Sequence, residues 1–361
     1  MKVAIITDTH CGAGNDNTSF NEYFLKFYED ILFPYLKDNN IKTVLHLGDV
    51  FDRRKYINFN TFHTWQNRVF GPLHEIVDRV DIIVGNHDTY FKNTNAVNSV
   101  TELLKSYHKF NVYIDPSEVM VDNMKVLFLP WICEDNALKT LEAIKSSTAK
   151  VCMGHLELIG FEMYAGHLNV DKGLRADIFD KFYMTLTGHF HQKSSLGGIH
   201  YLGAPYPMMW GDYNCPRGFH VLDTETLELT FIPNHLEIFT KIYYDDSDTT
   251  LDDLLQQDAS NIAGKYVKII VQKKNNPYWF DQFIENLQKH NPCDISVIDA
   301  SFENAGQGHE IDDGDVAKDT LTILREVVTS LETTHKNKLN DLLSELYIEA
   351  LNTNETVQGS G

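Results

Sequence analysis

A chain of 361 residues exceeds the ~100 to 200 of one typical domain, so two or three domains and a sizeable core are expected. Its 43% hydrophobic and 23% charged residues exclude collagen, simple repeats and wholesale disorder, and no apolar run approaches the ~18 residues of a membrane-spanning helix. The 31 basic and 51 acidic residues give a formal charge of −20, which argues against capture of nucleic acid by bulk electrostatics.

The first eight residues, Met1 to Asp8, hold an apolar run too short for a secretory signal and closed by an aspartate, so a cytoplasmic location is expected. Short apolar strands are predicted over Lys2 to Thr7, Thr43 to Leu47 and Asp81 to Val84, each ending in polar residues. Between them, apolar residues at helical spacing predict helices over Phe20 to Leu36 and Phe62 to Val77. Further strands are predicted at Lys125 to Leu129, Val151 to Met153, Tyr183 to Thr187 and His200 to Leu202, and a hairpin at Phe219 to Ile232 around Asp223-Thr224-Glu225-Thr226. This alternation predicts a layered α/β domain over residues 1–237.

From residue 238 to 302 the pattern restarts: a strand at Tyr266 to Val271, a helix from Tyr278 to Lys289 opened by Pro277, and a strand at Ile295 to Ile298 predict a small α/β cap domain. Residues 303–318, rich in Gly and Asp, read as a linker. Two amphipathic stretches in residues 319–352, whose apolar faces include Leu324, Val328, Leu342 and Leu346, predict a helical hairpin. Such a hairpin either docks a partner or packs on its own chain. The tail, residues 353–361, closes in Gly359-Ser360-Gly361, which resembles a cloning remnant.

Acidity is uneven: from Asp245 onward 9 basic face 22 acidic residues, leaving a net of −7 for residues 1–244. Five cysteines without a C-x-x-C pair predict free thiols and no thiolate zinc site.

Five motifs stand in order: Asp8-Thr9-His10, Gly48-Asp49-Val50-Phe51-Asp52-Arg53, Gly85-Asn86-His87-Asp88, Gly154-His155 and Gly188-His189-Phe190-His191. Each set follows an apolar strand, where ligands gather in open α/β sheets. Aspartate, asparagine and imidazole without thiolate suit Mn, Fe or Zn, with Mn or Fe favoured in an octahedral site. Two such ions need one shared carboxylate, and Asp49 is the candidate bridge. Glycines 48, 85, 154 and 188 would let the backbone turn and the ligands approach.

The motif order resembles that of the calcineurin-like metallophosphoesterases over roughly residues 1–235. Within them it is similar to the SbcD nucleases of double-strand-break repair, and to the recombination endonuclease subunits of T4-type phages. Tyr201-Leu202-Gly203-Ala204-Pro205 and Pro216-Arg217-Gly218-Phe219 support that likeness, as do the cap and terminal hairpin. The resemblance implies a β-sandwich flanked by helices, with two Mn2+ (Mg2+ or Fe in their place) held by Asp8, His10, Asp49 and His191, and by Asp49, Asn86, His155 and His189. It makes His87 the general acid or transition-state stabiliser, with Asp88 suited to accept its hydrogen bond. It further implies 3′–5′ exonuclease and endonuclease action on DNA, a homodimer, and an SbcC-like coiled-coil ATPase docked on the terminal hairpin. Some family members carry a second histidine three residues after the bridging carboxylate, where this chain has Asp52.

Arg53, Arg54 and Lys55 follow the bridge in a predicted loop and are candidate contacts to a DNA backbone, or a solvated loop. Met208-Met209-Trp210 reads as core or as a wedge against a base; Phe62, Trp65 and Val69, with Leu103 and Leu104, read as core or as part of a dimer interface. A phosphomonoesterase or small-molecule phosphodiesterase on the same metals is the alternative activity, though it leaves the C-terminal third without a task. A noncatalytic scaffold is a third reading, against which the intact ligand set and His87 argue.

Overall fold

Two six-stranded sheets packed face to face carry the first 233 residues. In chain order the strands are β1 (Lys2–Ile6), β2 (Thr43–His46), β3 (Arg79–Ile83), β4 (Phe110–Tyr113), β5 (Ser117–Val121), β6 (Met124–Leu129), β7 (Val151–His155), the ribbon β8 (Glu162–Tyr164) and β9 (His167–Leu168), β10 (Met184–Gly188), β11 (Ser194–Leu196), β12 (Ile199–Tyr201), β13 (Gly218–Asp223) and β14 (Leu229–Pro233). The computed structural model describes residues 1–164 and 167–299. The predicted linker 303–318, the hairpin 319–352 with Leu324, Val328, Leu342 and Leu346, and the tail lie outside them.

One sheet runs β14-β13-β1-β2-β3-β4, the other β11-β12-β10-β7-β6-β5. β1, β2 and β3 are parallel neighbours, with Ile6 opposite His46 and His46 opposite Ile82. β7 and β10 are likewise parallel, with Gly188 opposite His155. Strands buried on both faces account for their unbroken apolar runs. Val3, Ile5, Leu45, Leu47 and Ile83 from the first sheet meet Val126, Phe128, Val151, Met153 and Leu186 from the second, forming the inner core.

Helices cover the outer face of the first sheet. Asn17 and Asn58 cap the two long ones, each side chain accepting two backbone N–H groups, so both helices begin earlier than their apolar stripes predict. Each contains a π turn, Phe27–Leu32 and Gln66–Phe70, directly before a segment opened by proline. Phe33 N–H donates to Tyr28 O and Gly71 N–H to Gln66 O, five residues back, and Pro34 or Pro72 follows at once. Proline lacks an N–H and its ring collides with the carbonyl four residues earlier; a wider turn relieves that collision. Trp65 and Val69 are buried in this layer with Leu104, and Phe62 and Leu103 pack on it, so this stripe fills one subunit's core.

β15 (Phe239–Asp245), β16 (Tyr266–Lys273) and β17 (Asp294–Asp299) form a separate parallel sheet. The helix Pro277–Gln288 packs on it through Phe283 and Leu287 against Tyr244, Val267, Ile269 and Val271. Here the sequence pattern missed β15. The Met208–Trp210 stretch divides: Met208 and Trp210 pack on the main core, with Trp210 4.7 Å from the Phe239 ring, while Met209 is 53% exposed. No helix among the described residues is long and apolar enough to cross a membrane.

Candidate metal centre

The polar motifs meet because parallel strands end together. β1, β2 and β3 deliver Asp8, Asp49 and Asn86 just beyond their C-terminal ends, while β7 and β10 deliver His155 and His189 from the other sheet. Backbone bonds continue past the strands: Asp8 N–H donates to Gly48 O (3.0 Å), His10 N–H to Asp49 O (3.0 Å) and Cys11 N–H to Val50 O (2.8 Å). The first two loops are thereby zipped together.

Four ligand candidates sit at left-handed backbone angles: Asp8 at φ 53°, His10 at 42°, Asp49 at 54° and His189 at 90°. Non-glycine residues rarely adopt these angles, and each one held there costs about 1–3 kcal/mol. The surrounding packing imposes them. Among the four flanking glycines only Gly48 has a positive φ, 95°; Gly85 and Gly188 are needed for space. A Cβ on Gly85 would strike the Asp49 carboxylate and main-chain nitrogen, and one on Gly188 would strike the Thr7 hydroxyl.

Three groups of donor atoms lie within 4.8 Å of one another: Asp8, His10 and His191; His10, Asp49 and His87; and Asp49, His155 and His189. Asp8, His10, Asp49 and His155 are almost wholly buried. His10 Nε2 lies 3.1 Å from His191 Nε2 and 3.7 Å from Asp49 Oδ2. Asn86 Oδ1 lies 2.9 Å from His155 Nε2 and 2.8 Å from His189 Nδ1, so it completes the second set.

The donor set fits divalent cations. His155 Nδ1–H donates to Leu47 O at 2.7 Å, which leaves the Nε2 lone pair of a neutral ring facing Asn86 Oδ1 and Asp49 Oδ2, the latter 3.3 Å away. Converging lone pairs repel unless positive charge stands among them. Burial opposes charge on His155, yet the Asp49 carboxylate overrides it and pushes the imidazole up to about 9, a measure of how strongly positive charge is favoured here. Burial likewise opposes charge on Asp49, but His155, then His10 and His87, hold its carboxyl well below the usual range. His189 is pushed down to about 3 by burial and by His155, as suits a neutral nitrogen ligand.

Two expected roles change. Asp88 is fully buried, and its two carboxylate oxygens accept backbone donors, Phe51 N–H at 3.0 Å and Gly85 N–H at 2.9 Å, joining the β2 and β3 loops. His87 Nδ1 instead lies 2.6 Å from the carbonyl of Asp52, and its peptide N–H donates to Asp49 Oδ1 at 2.7 Å. Arg53 does not extend toward solvent as a free DNA contact: it pairs with Asp16 at 3.0 Å and bonds Asn15. Arg54 donates to Thr89 Oγ1 at 3.3 Å, whereas Lys55 is exposed.

The contacts of three residues at the centre were not foreseen from the sequence, although Asp52 and Arg217 stand in its motifs. Asp52 bears on both neighbours, its Oδ1 3.4 Å from His10 Nδ1 and its carbonyl on His87, so it orients two imidazoles from the position of the absent second histidine. Trp131, beyond the end of β6, packs its ring 5.1 Å from His189; its place two residues past an apolar strand was the available signal. Arg217, buried, donates to the carbonyl of His191.

The family model described as calcineurin-like phosphoesterase matches residues 1–193. The chain is a calcineurin-like phosphoesterase. Binding of divalent metal belongs to that family's fold, and the phosphoesterase described above clusters the side chains to do it. The phosphoesterase is 31% identical over 356 residues to Exonuclease subunit 1 of Enterobacteria phage T4, covering 97% of this chain and 99% of that protein. Among solved structures, an archaeal phosphodiesterase matches 65% of this chain and 100% of its own, at 17% identity and a TM-score of 0.31. A purple acid phosphatase from yellow lupin (Lupinus luteus) seeds matches 62% and 49% respectively, at 11% identity and a TM-score of 0.33.

Proposed function

We propose that this phosphoesterase is a metal-dependent DNA nuclease of the SbcD type, a phosphodiesterase that processes DNA ends in repair and recombination. What carries the reading is a ligand cluster centred on Asp49 in a chain that aligns, over nearly its whole length, with a phage exonuclease subunit. Asp8, His10, Asp49 and His191 would hold one ion and Asp49, Asn86, His155 and His189 the other, with manganese favoured by the mixed oxygen and nitrogen donors. When bound, such ions supply Lewis acidity, acidifying a water and offsetting charge on the non-bridging phosphate oxygens.

The chain's own groups do the rest. A carbonyl can only accept, so His87 Nδ1 carries a proton for Asp52 O, and Nε2 is the ring nitrogen left to meet substrate. A protonated Nε2 would donate to the leaving 3′ oxygen, giving 5′-phosphorylated products; a 3′–5′ direction comes from the resemblance alone. The bond from its peptide N–H to Asp49 Oδ1 fixes the imidazole relative to the shared carboxylate. Lys55 and Arg54 would meet DNA phosphates beside the centre. An SbcC-like ATPase would dock on residues 319–352, the protein would act as a homodimer, and its compartment would be the cytoplasm of the host bacterium.

The test incubates the purified protein with linear duplex DNA, single-stranded DNA and a chromogenic phosphomonoester, each with manganese or EDTA, beside His87→Ala. Manganese-dependent DNA cleavage that the variant loses is the expected result. Turnover of the phosphomonoester alone would replace the reading with a phosphatase.

A further inference from the structure

Two loops leave the centre side by side, residues 53–58 after Asp52 and 89–98 after Asp88. Together they carry four cations, Arg53, Arg54, Lys55 and Lys92, and no carboxylate, in a chain whose formal charge is −20. The same loops hold three aromatic rings toward water: Tyr56 is 65% exposed, Tyr90 41% and Phe91 47%. Neither loop is loose at its base. Thr89 Oγ1 donates to Asn86 O at 3.2 Å and accepts from Arg54, and Tyr90 N–H donates to Val97 O at 2.9 Å. The rings alternate with charge: the Arg53 guanidinium stands 4.9 Å from the Tyr56 ring centre, Lys55 Nζ 5.9 Å from that of Tyr90, and Tyr90 meets Phe91 edge-on at 4.7 Å.

Exposed aromatic rings clustered among cations, beside a phosphodiester-cleaving centre, match a ligand that offers flat apolar faces and phosphates at once. A duplex hides its base faces in the stack; an unpaired strand presents one with every nucleotide. Resting on the nuclease reading, we infer that Tyr56, Tyr90 and Phe91 form a stacking platform for unpaired bases next to the scissile phosphate. Arg54, Lys55 and Lys92 take the flanking phosphates, and the favoured substrate is a strand unpaired at the cut.

The test uses the full chain, as wild type and as Tyr90→Ala/Phe91→Ala and Tyr56→Ala, with oligonucleotides carrying 2-aminopurine as an unpaired base. Binding in EDTA is read by fluorescence, and manganese is then added to compare cleavage of an unpaired 3′ extension with a blunt duplex. Wild type is expected to quench the probe and the double variant to lose the quench, with the preference for the unpaired end falling about tenfold, as for one lost stacking contact. Tyr90→Phe restores both, and Tyr183→Ala, a 66% exposed ring at the N-terminal end of β10, away from the centre at its C-terminal end, retains them. Quenching that persists in the double variant, or an equal loss on both substrates, overturns the platform. So does a change in sedimentation on substitution, which would assign the rings to a contact between copies. Wild type that quenches but cuts no DNA would remove the nuclease reading while supporting the platform.

Discussion

The guanidinium of Arg217 joins the Asp212 carboxylate, 2.5 Å away, to the main-chain carbonyl of His191. Both ionic side chains are buried, and Asp212 also accepts the backbone N–H groups of Met208 and Met209, at 2.8 and 3.2 Å. A buried pair is seldom retained for stability alone, since well-packed apolar residues often serve as well, and Arg217 Nε has no hydrogen-bond partner among the described residues. Its contacts hold the backbone of His191, a candidate metal ligand. Arg217→Met strands the Asp212 charge and is expected to cost about 3–5 kcal/mol in denaturant unfolding. Arg217→Lys keeps the charge without the planar fork, so it should unfold closer to wild type yet bind manganese more weakly in a calorimetric titration. Equal manganese affinity in Arg217→Lys and wild type would reduce the residue to a packing role.

Gly85→Ala tests whether space beside Asp49 is essential. The added methyl collides with main-chain and carboxylate atoms that cannot swing aside, because Asp49 is pinned by its φ of 54° and by the His87 N–H. A displacement of about 1 Å at a catalytic group costs on the order of a hundredfold in rate. A loss of about that size in cleavage, with far-ultraviolet circular dichroism unchanged, is expected. Full activity would show that the loop yields.

Among the histidines outside the centre, His220 on β13 carries a pH dependence. Burial, reinforced by Lys193 and His200, pushes its imidazole from 6.5 down to about 3, so the folded protein keeps it neutral. Below pH 6.5 the unfolded chain takes up a proton that the folded chain refuses. Stability is therefore lost as pH falls through 6.5 toward 3, at up to about 1.4 kcal/mol per pH unit. His220→Phe keeps a ring against Phe231 and removes the titration. Its stability relative to wild type should rise on acidification, measured by guanidinium unfolding at pH 7, 6 and 5; a constant difference would contradict this.

Charge removal should separate two neighbouring cations. Lys55→Ala is expected to weaken DNA binding with little dependence on sequence and to lower the salt slope by about one. Arg53→Ala removes a pair already satisfied by Asp16, so the slope should stay near wild type. Fluorescence anisotropy across a salt series decides it, and an unchanged slope for Lys55→Ala would exclude a phosphate contact there.

How much was legible followed from what each residue answers to. The positions of Asp8, Asp49 and Asn86 could be read because buried parallel strands print apolar runs and these candidate ligands stand just beyond them. β4 and β5 left no such run: their residues are mostly half-buried or exposed, so nothing marked them as strands. Partner choice was less legible still. Asp88 turned to Phe51 and Gly85 N–H groups, and Arg53 to Asp16, because hydrogen bonds follow backbone angles and loops brought together from distant parts of the chain. Asp52 looked like a departure from a motif, yet its contacts with two imidazoles depend on the turn that carries it.

The π turns before Pro34 and Pro72 act as phase shifts. Each amounts to a one-residue insertion, rotating everything beyond it by about 100° relative to an uninterrupted helix. Positions 20–25 and 33–36 therefore do not fall on one helical wheel, although Phe24, Leu25, Phe33 and Leu36 all face the core. A homologous helix lacking both the proline and one residue of the turn would present the same faces. The spacing between the two halves of each helix is thus open to change by a single residue without disturbing the strands that carry the candidate ligands.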